Sequence, residues 1–236
     1  NMLTDGKVHL QTRHNADGVF LNAENVQKNR ELLAQLEAKE LALAAENDRL
    51  LKLEANMQDR AQRIAELEAL IASKDQAMQD LKNAISKALT AFEGKGLTVE
   101  QRDGKVYVSM ENKLLFESGS WAVNTRGREA VVQLGKVLAD NPEIAVLIEG
   151  HTDTIVYSGN GNISNNWDLS TKRATAIVGI LTENHKILKE NLTAAGRGEF
   201  SPIAANSTSE GRSKNRRIEV ILTPKLDEIS KLLNDF

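Results

Sequence analysis

The chain has 236 residues, with 30 Lys and Arg set against 33 Asp and Glu for a formal charge of −3, so it presents no basic field of the kind that gathers nucleic acid. It has no cysteine, which excludes a disulfide, a thiol nucleophile and a thiolate-bound metal. No stretch approaches the roughly 20 apolar residues needed to span a bilayer, and no signal-peptide pattern opens the chain.

Residues 1–27 hold two short apolar runs, Val8 to Thr12 and Val19 to Leu21, around Asn15-Ala16-Asp17-Gly18. That pattern suits either a hairpin or an ill-ordered tail, since a lone hairpin is marginal without something to pack on. Residues 28–93 read as one long helix: from 30 to 91 there is neither Gly nor Pro. Leu36, Leu43, Leu50, Met57, Ile64, Ile71, Met78, Ile85 and Phe92 recur at intervals of seven, a continuous coiled-coil seam. Three residues after each stand Lys39, Glu46, Leu53, Arg60, Leu67, Lys74, Leu81 and Ala88, a second seam that is only half apolar. The expectation is a parallel homo-oligomer, a dimer, with a helix about 100 Å long at 1.5 Å per residue.

Glu93-Gly94-Lys95-Gly96 ends the periodicity, and residues 97–224 then alternate strands with helices. Strands are expected over Val106–Met110 and Leu114–Glu117, across a turn at Asn112. An amphipathic helix follows over Gly127–Leu138, then a buried strand over Ile144–Glu149. A helix over Asp168–Leu181 opens at Asn165 or Asn166, and strands over Leu192–Ala195 and Ile218–Leu222 complete the set. The order β-α-β-α-β-β predicts an α+β fold, a mixed sheet of about four strands covered by helices as a sandwich with one core. Pro224 stops the last strand, and 225–236 suits a terminal helix.

Four polar signatures punctuate this half: Gly150-His151-Thr152-Asp153, Asn166-Trp167-Asp168-Leu169-Ser170-Thr171-Lys172-Arg173-Ala174, Glu210-Gly211-Arg212 and Asn215-Arg216-Arg217-Ile218-Glu219. The apolar run Ile144 to Ile148 delivers the first to a strand end, and the second opens a helix. A carboxylate and a guanidinium can therefore meet at one sheet edge, an arrangement suited to a zwitterion. His151 invites a hydrolase reading with Ser170 or Thr152 as nucleophile, but no Gly-x-Ser-x-Gly elbow is present. Nor is there a His-Glu-x-x-His pattern. The expectation is no catalytic residue, no metal and no cofactor, with the His151 ring bonded to backbone at a strand end.

From about Val106 to Thr223 these motifs, in this order, resemble the OmpA-like C-terminal domain, the peptidoglycan-binding module of Gram-negative outer-membrane proteins, Pal lipoproteins and MotB-type stator proteins. The resemblance implies that Asp153 accepts the ammonium, and Arg173 binds the carboxylate, of meso-diaminopimelate in the stem peptide. Such charge-assisted bonds are short and directional. Thr152 and Leu169 are implied as pocket walls. Asn215 and Arg216 match a segment near the same pocket, either in contact or orienting Asp153, and Asn166 is expected to cap its helix. The insertion Tyr157 to Ser164 is closer in wording to MotB-type members, and forms either a flap or an outward bulge.

The implied function is a non-catalytic, periplasmic, outer-membrane-associated protein that anchors the outer membrane or an envelope assembly to peptidoglycan. On this expectation it forms a homo-oligomer through residues 28–93, has no nucleic-acid partner, and meets a membrane only through an anchor outside this sequence. The alternatives are the periplasmic part of a MotB-like stator and a coiled-coil envelope scaffold.

Overall fold

The computed structural model describes residues 2–117, 119–157 and 163–226, the first of these through residue 23 by backbone alone. The C-terminal helix expected over 225–236 and most of the 157–164 insertion lie outside the described residues. The chain divides into two compact units, Asn1–Ala65 and Glu66–Phe236.

The first unit is part of helix α1, whose full extent is Met2–Ala88 and whose residues 66–88 fall in the second unit. Its backbone is helical through the segment where a hairpin or tail was expected. Over residues 28–88 Ala, Leu, Glu, Lys, Arg and Gln dominate the sequence, and each gives up little side-chain freedom in a helix. Pairs one turn apart, such as Lys52 with Asp48 at 2.7 Å and Gln27 with Glu31 at 3.1 Å, add a few tenths of a kcal/mol each.

The second unit is built on a five-stranded sheet in the order β1-β2-β5-β3-β4. Its strands are β1 (Leu97–Arg102), β2 (Lys105–Glu111), β3 (Ile144–His151), β4 (Leu192–Gly196) and β5 (Arg217–Pro224). All neighbours run antiparallel except β3 and β4, which are parallel. Registers such as Val108 to Val220 to Ile148 put alternate apolar residues on one face, and that face is the core. Helices α3 (Thr125–Ala139) and α4 (Asn166–Leu181) contribute Val131, Leu134, Ala174, Ile177 and Leu181 to it. The expected α+β architecture is present, with an unforeseen strand at one edge and one expected strand absent.

The unforeseen strand is β1. Leu97 and Val99 alternate with polar residues and are buried, and the hairpin to β2 turns at Asp103 and Gly104, whose φ values are 51° and 67°. Two successive positive φ angles make the turn that matches strand twist, and Asp-Gly suits it. The segment expected as a strand over Leu114–Glu117 instead belongs to a short helix, α2 (Asn112–Leu115). Leu114 and Leu115 are both buried; a strand would have turned one of the two to the opposite face.

The long seam of α1 is divided. Leu36, Leu43, Leu50, Met57, Ile64 and Ile71 are exposed, whereas Met78, Ile85 and Phe92 are sealed, with Leu81 and Leu89, into the core of the second unit. Residues 78–92 are therefore packed within their own domain, which shortens the segment that could serve an oligomer from the 28–93 expected.

Candidate functional site

The site begins where β3 ends. Beyond His151 the chain runs through Thr152 and Asp153 alongside α4, and the approach is very close: a Cβ on Gly150 would stand 2.0 Å from the Ser170 carbonyl oxygen. Only glycine lets strand and helix come this near, and the contact sets Asp153 beside the face of α4 that carries Arg173.

Helix α4 is capped by Asn165, whose side-chain oxygen accepts from the Asp168 backbone N–H at 2.9 Å. Asn166, expected as the cap, has a different task. Its amide donates to the carbonyls of Asp153 at 3.3 Å and Ile155 at 3.1 Å, so it braces the turn holding Asp153. Within that turn Asp153 Oδ1 accepts from the Ile155 backbone N–H at 3.1 Å, while Oδ2 forms an ion pair with Arg216 Nη1. Arg216 is thus paired with Asp153 and also lines the cleft beside it.

Arg173 is almost wholly buried. Its Nε donates to the Ser120 carbonyl at 2.9 Å and its guanidinium lies 5.2 Å from the centre of the Phe116 ring. Burial lowers its pKa to about 10, helped by Arg216 and opposed by Tyr157 and Asp153. It therefore keeps its positive charge across the neutral range. Its two Nη groups form no hydrogen bond with any described residue.

Asp153, Arg173, Thr152, Leu169 and Arg216 all line one cleft of about 580 Å³. Phe116, Ile155, Val156 and Tyr157 supply its apolar walls, and Asn112, Lys113, Asn166 and Ser213 its polar ones. Thr152 donates its backbone N–H to the Gly198 carbonyl at 2.9 Å, and its hydroxyl is buried with no hydrogen-bond partner among the described residues. Five of the six expected site residues thus converge.

Asn215 is the exception. It is fully buried and absent from the cleft lining. Its oxygen accepts from the Ile203 and Ala204 backbone N–H groups at 2.8 and 3.0 Å, and its amide donates to the Ala204 carbonyl and to Asn206 Oδ1. Every capacity of the side chain goes to the 203–206 loop, which makes it a positioning residue for the strand that follows. Phe116 and the Ile155–Tyr157 wall escaped the sequence reading because apolar cleft walls carry no signature distinct from core residues.

His151 also differs from expectation. Its ring has no hydrogen-bond partner; Nε2 lies 3.5 Å from Glu149 and 3.8 Å from Glu219. Burial, followed by the charges of Arg217 and Arg197, lowers its pKa to about 3, so the ring is neutral. Glu149, His151 and Glu219 are the one group among the described residues with donors close enough to share a metal. Both carboxylates already face guanidinium groups, Arg217 at 3.1 Å from Glu219 and Arg197 at 3.6 Å from Glu149. The Ser170 hydroxyl, considered as a nucleophile, donates to the Trp167 carbonyl and accepts from the Gly198 N–H.

Residues 115–216 match the OmpA family model. Motility protein B of Bacillus subtilis is 36% identical over 118 residues, which is 50% of this chain and 45% of that protein. The lipoprotein YiaD of Escherichia coli is 30% identical over 59% of this chain and 61% of its own length. The chain thus spans about half to three-fifths of these two curated relatives. Among solved structures, a MotB-like protein from Desulfovibrio vulgaris shares the fold at a TM-score of 0.61 and 24% identity, covering 66% of this chain and 99% of that one. The cell wall anchor of the T6SS from Pseudomonas aeruginosa gives a TM-score of 0.53 at 25% identity, over 60% of this chain and 97% of its own. Residues 115–216 therefore constitute an OmpA family domain, with MotB-type and lipoprotein relatives.

Proposed function

We propose that this domain binds peptidoglycan without catalysis, gripping the zwitterionic end of diaminopimelate in the stem peptide. Asp153 receives the ammonium, Arg173 the carboxylate, and Arg216 holds Asp153 in position. The observation that carries the reading is the pairing of opposite charges, each more than nine-tenths buried, on the wall of one open cleft. Burial makes such groups costly unless they are paired. Asp153 has its Arg216 partner, whereas the Arg173 fork finds its anionic partner in the ligand.

The relatives support the wider role. One solved neighbour is described as a cell wall anchor, and others are motility proteins and lipoproteins. On this reading the protein works in the periplasm of a Gram-negative envelope and ties the outer membrane or an envelope assembly to the wall. The stator reading draws on the likeness to motility protein B; among the described residues no helix is long and apolar enough to cross a membrane.

The test is co-sedimentation with isolated sacculi, comparing the native chain with Asp153→Asn and Arg173→Gln. Each charge-assisted bond contributes about 1.5–3 kcal/mol, so each variant is expected to lose roughly ten- to hundredfold in affinity. Retention of both at the native level would remove the site.

A further inference from the structure

Trp167 belongs to the signature whose Asn166, Leu169 and Arg173 line the cleft, yet it is absent from that lining itself. Among the described residues Trp167 and Phe200 are the Trp and Phe side chains left open to solvent, 49 and 65% exposed. Their rings stack at 5.4 Å with 25° between the planes. Aromatic side chains of this size are ordinarily drawn inside or covered by a partner. The pair is fixed to the same elements that build the cleft. Trp167 stands in the first turn of α4, and Phe200 follows a turn after β4 in which Gly198 takes a φ of 52°. That turn is tied to the end of β3, where the Arg197 N–H donates to the Gly150 carbonyl and the Thr152 N–H to the Gly198 carbonyl, both at 2.9 Å. It is tied to α4 by the Gly198 N–H, which donates to Ser170 Oγ at 3.1 Å. A Cβ on Gly198 would touch both rings, at 3.4 Å from Phe200 and 3.6 Å from Trp167, so the two rings meet over this residue.

We infer that this aromatic pair is a stacking platform for a sugar of the wall polymer, a subsite beside the peptide cleft; the inference rests on the peptidoglycan reading of that cleft. Continuity with the cleft carries it. Asn166 and Leu169 flank Trp167 in sequence and both line the cleft, while Trp167 stands about 100° round the helix from Asn166. A stem peptide reaches the cleft tethered by its first residue to an N-acetylated pyranose, and diaminopimelate is its third residue. At up to about 3.6 Å per residue, the sugar lies within roughly 10 Å of that residue's backbone. A pyranose also suits the rings chemically. Its axial C–H bonds carry partial positive charge and lie flat on the negative face of an aromatic ring, while its hydroxyl and amide groups stay at the edge in water. Phe200 is the more exposed of the pair, so its outer face meets the sugar. The stack carries no charge to select among peptides, and it therefore adds affinity to the cleft without altering its selectivity.

Calorimetric titration of the full chain with two probes tests the platform. One is a tetrapeptide with meso-diaminopimelate at its third position; the other is the same peptide carrying its N-acetylglucosaminyl-N-acetylmuramyl disaccharide. The native protein is expected to bind the disaccharide form about three- to tenfold more tightly. Phe200→Ala and Trp167→Ala should lose that gain while binding the free peptide at native strength. Trp167→Tyr, which keeps a ring, should retain most of it, and an unchanged melting temperature in Phe200→Ala excludes a misfolded loop as the cause. Asp153→Asn should instead weaken both probes by the same factor. Equal affinity of the native chain for both probes overturns the platform and leaves the cleft standing; a patch that docks a protein partner gives this result. A gain that survives in both alanine variants overturns it as well. Failure of either probe to bind at all removes the cleft reading, and the platform with it.

Discussion

At His151 burial and charge act together. The ring is held near a pKa of about 3 by its enclosure and by Arg217 and Arg197, whereas in the unfolded chain it titrates near its ordinary value of about 6.5. Across that window the unfolded state binds a proton that the folded state refuses, so His151 stabilises the fold fully above pH 6.5 and progressively less as the pH falls toward 3. The expected slope approaches about 1.4 kcal/mol per pH unit for one proton. Urea midpoints measured from pH 4 to 7 should show a shallower slope in His151→Asn than in the native chain; equal slopes would place the proton elsewhere. The meeting of Asp153 and Arg173 at one cleft was legible in the sequence because their motifs sit at the end of a strand and the start of a helix. Asn166 and Asn215 were not assigned correctly, since an asparagine's task depends on which backbone groups the fold presents to it. That information is absent from its spacing along the chain.

Among the elements, α4 separates two neighbouring asparagines by function. Asn165 satisfies an orphan N–H of the first turn, so Asn165→Ala should lower stability by about 1 kcal/mol while wall binding persists. Asn166→Ala releases the carbonyls of Asp153 and Ile155 and should weaken binding by more than its effect on the melting temperature explains. Calorimetric melting alongside sacculus binding separates the two, and equal losses for both variants would contradict the assignment. The helices and the central strands were readable from their periods, Ile144–Glu149 from its apolar run and the α3 face from its 3.6-residue repeat. Strand β1 was missed although Leu97 and Val99 alternate with polar neighbours, because Gly94 and Gly96 lie close upstream and read as loop. Leu114-Leu115 could not be assigned from pattern alone: two adjacent apolar residues fit a short helix and a doubly covered strand equally well.

For the molecule as a whole, one seven-residue repeat serves two ends. Its last members build a domain core, and its earlier ones are exposed along the helix. Neither the periodicity nor the composition distinguishes these uses; only burial in the folded domain does. The domain itself turns a requirement for close strand-helix packing, visible at Gly150 and Ser170, into the placement of two opposite charges on one wall. The central claim is that this cleft reads an ammonium and a carboxylate together, and calorimetric titration with two stem peptides tests it most directly. One peptide carries meso-diaminopimelate and the other lysine at the same position, which keeps the ammonium and removes the neighbouring carboxylate. The diaminopimelate peptide should bind at least roughly tenfold more tightly, and Arg173→Gln should abolish the difference. Equal affinity for both peptides in the native protein would contradict the account.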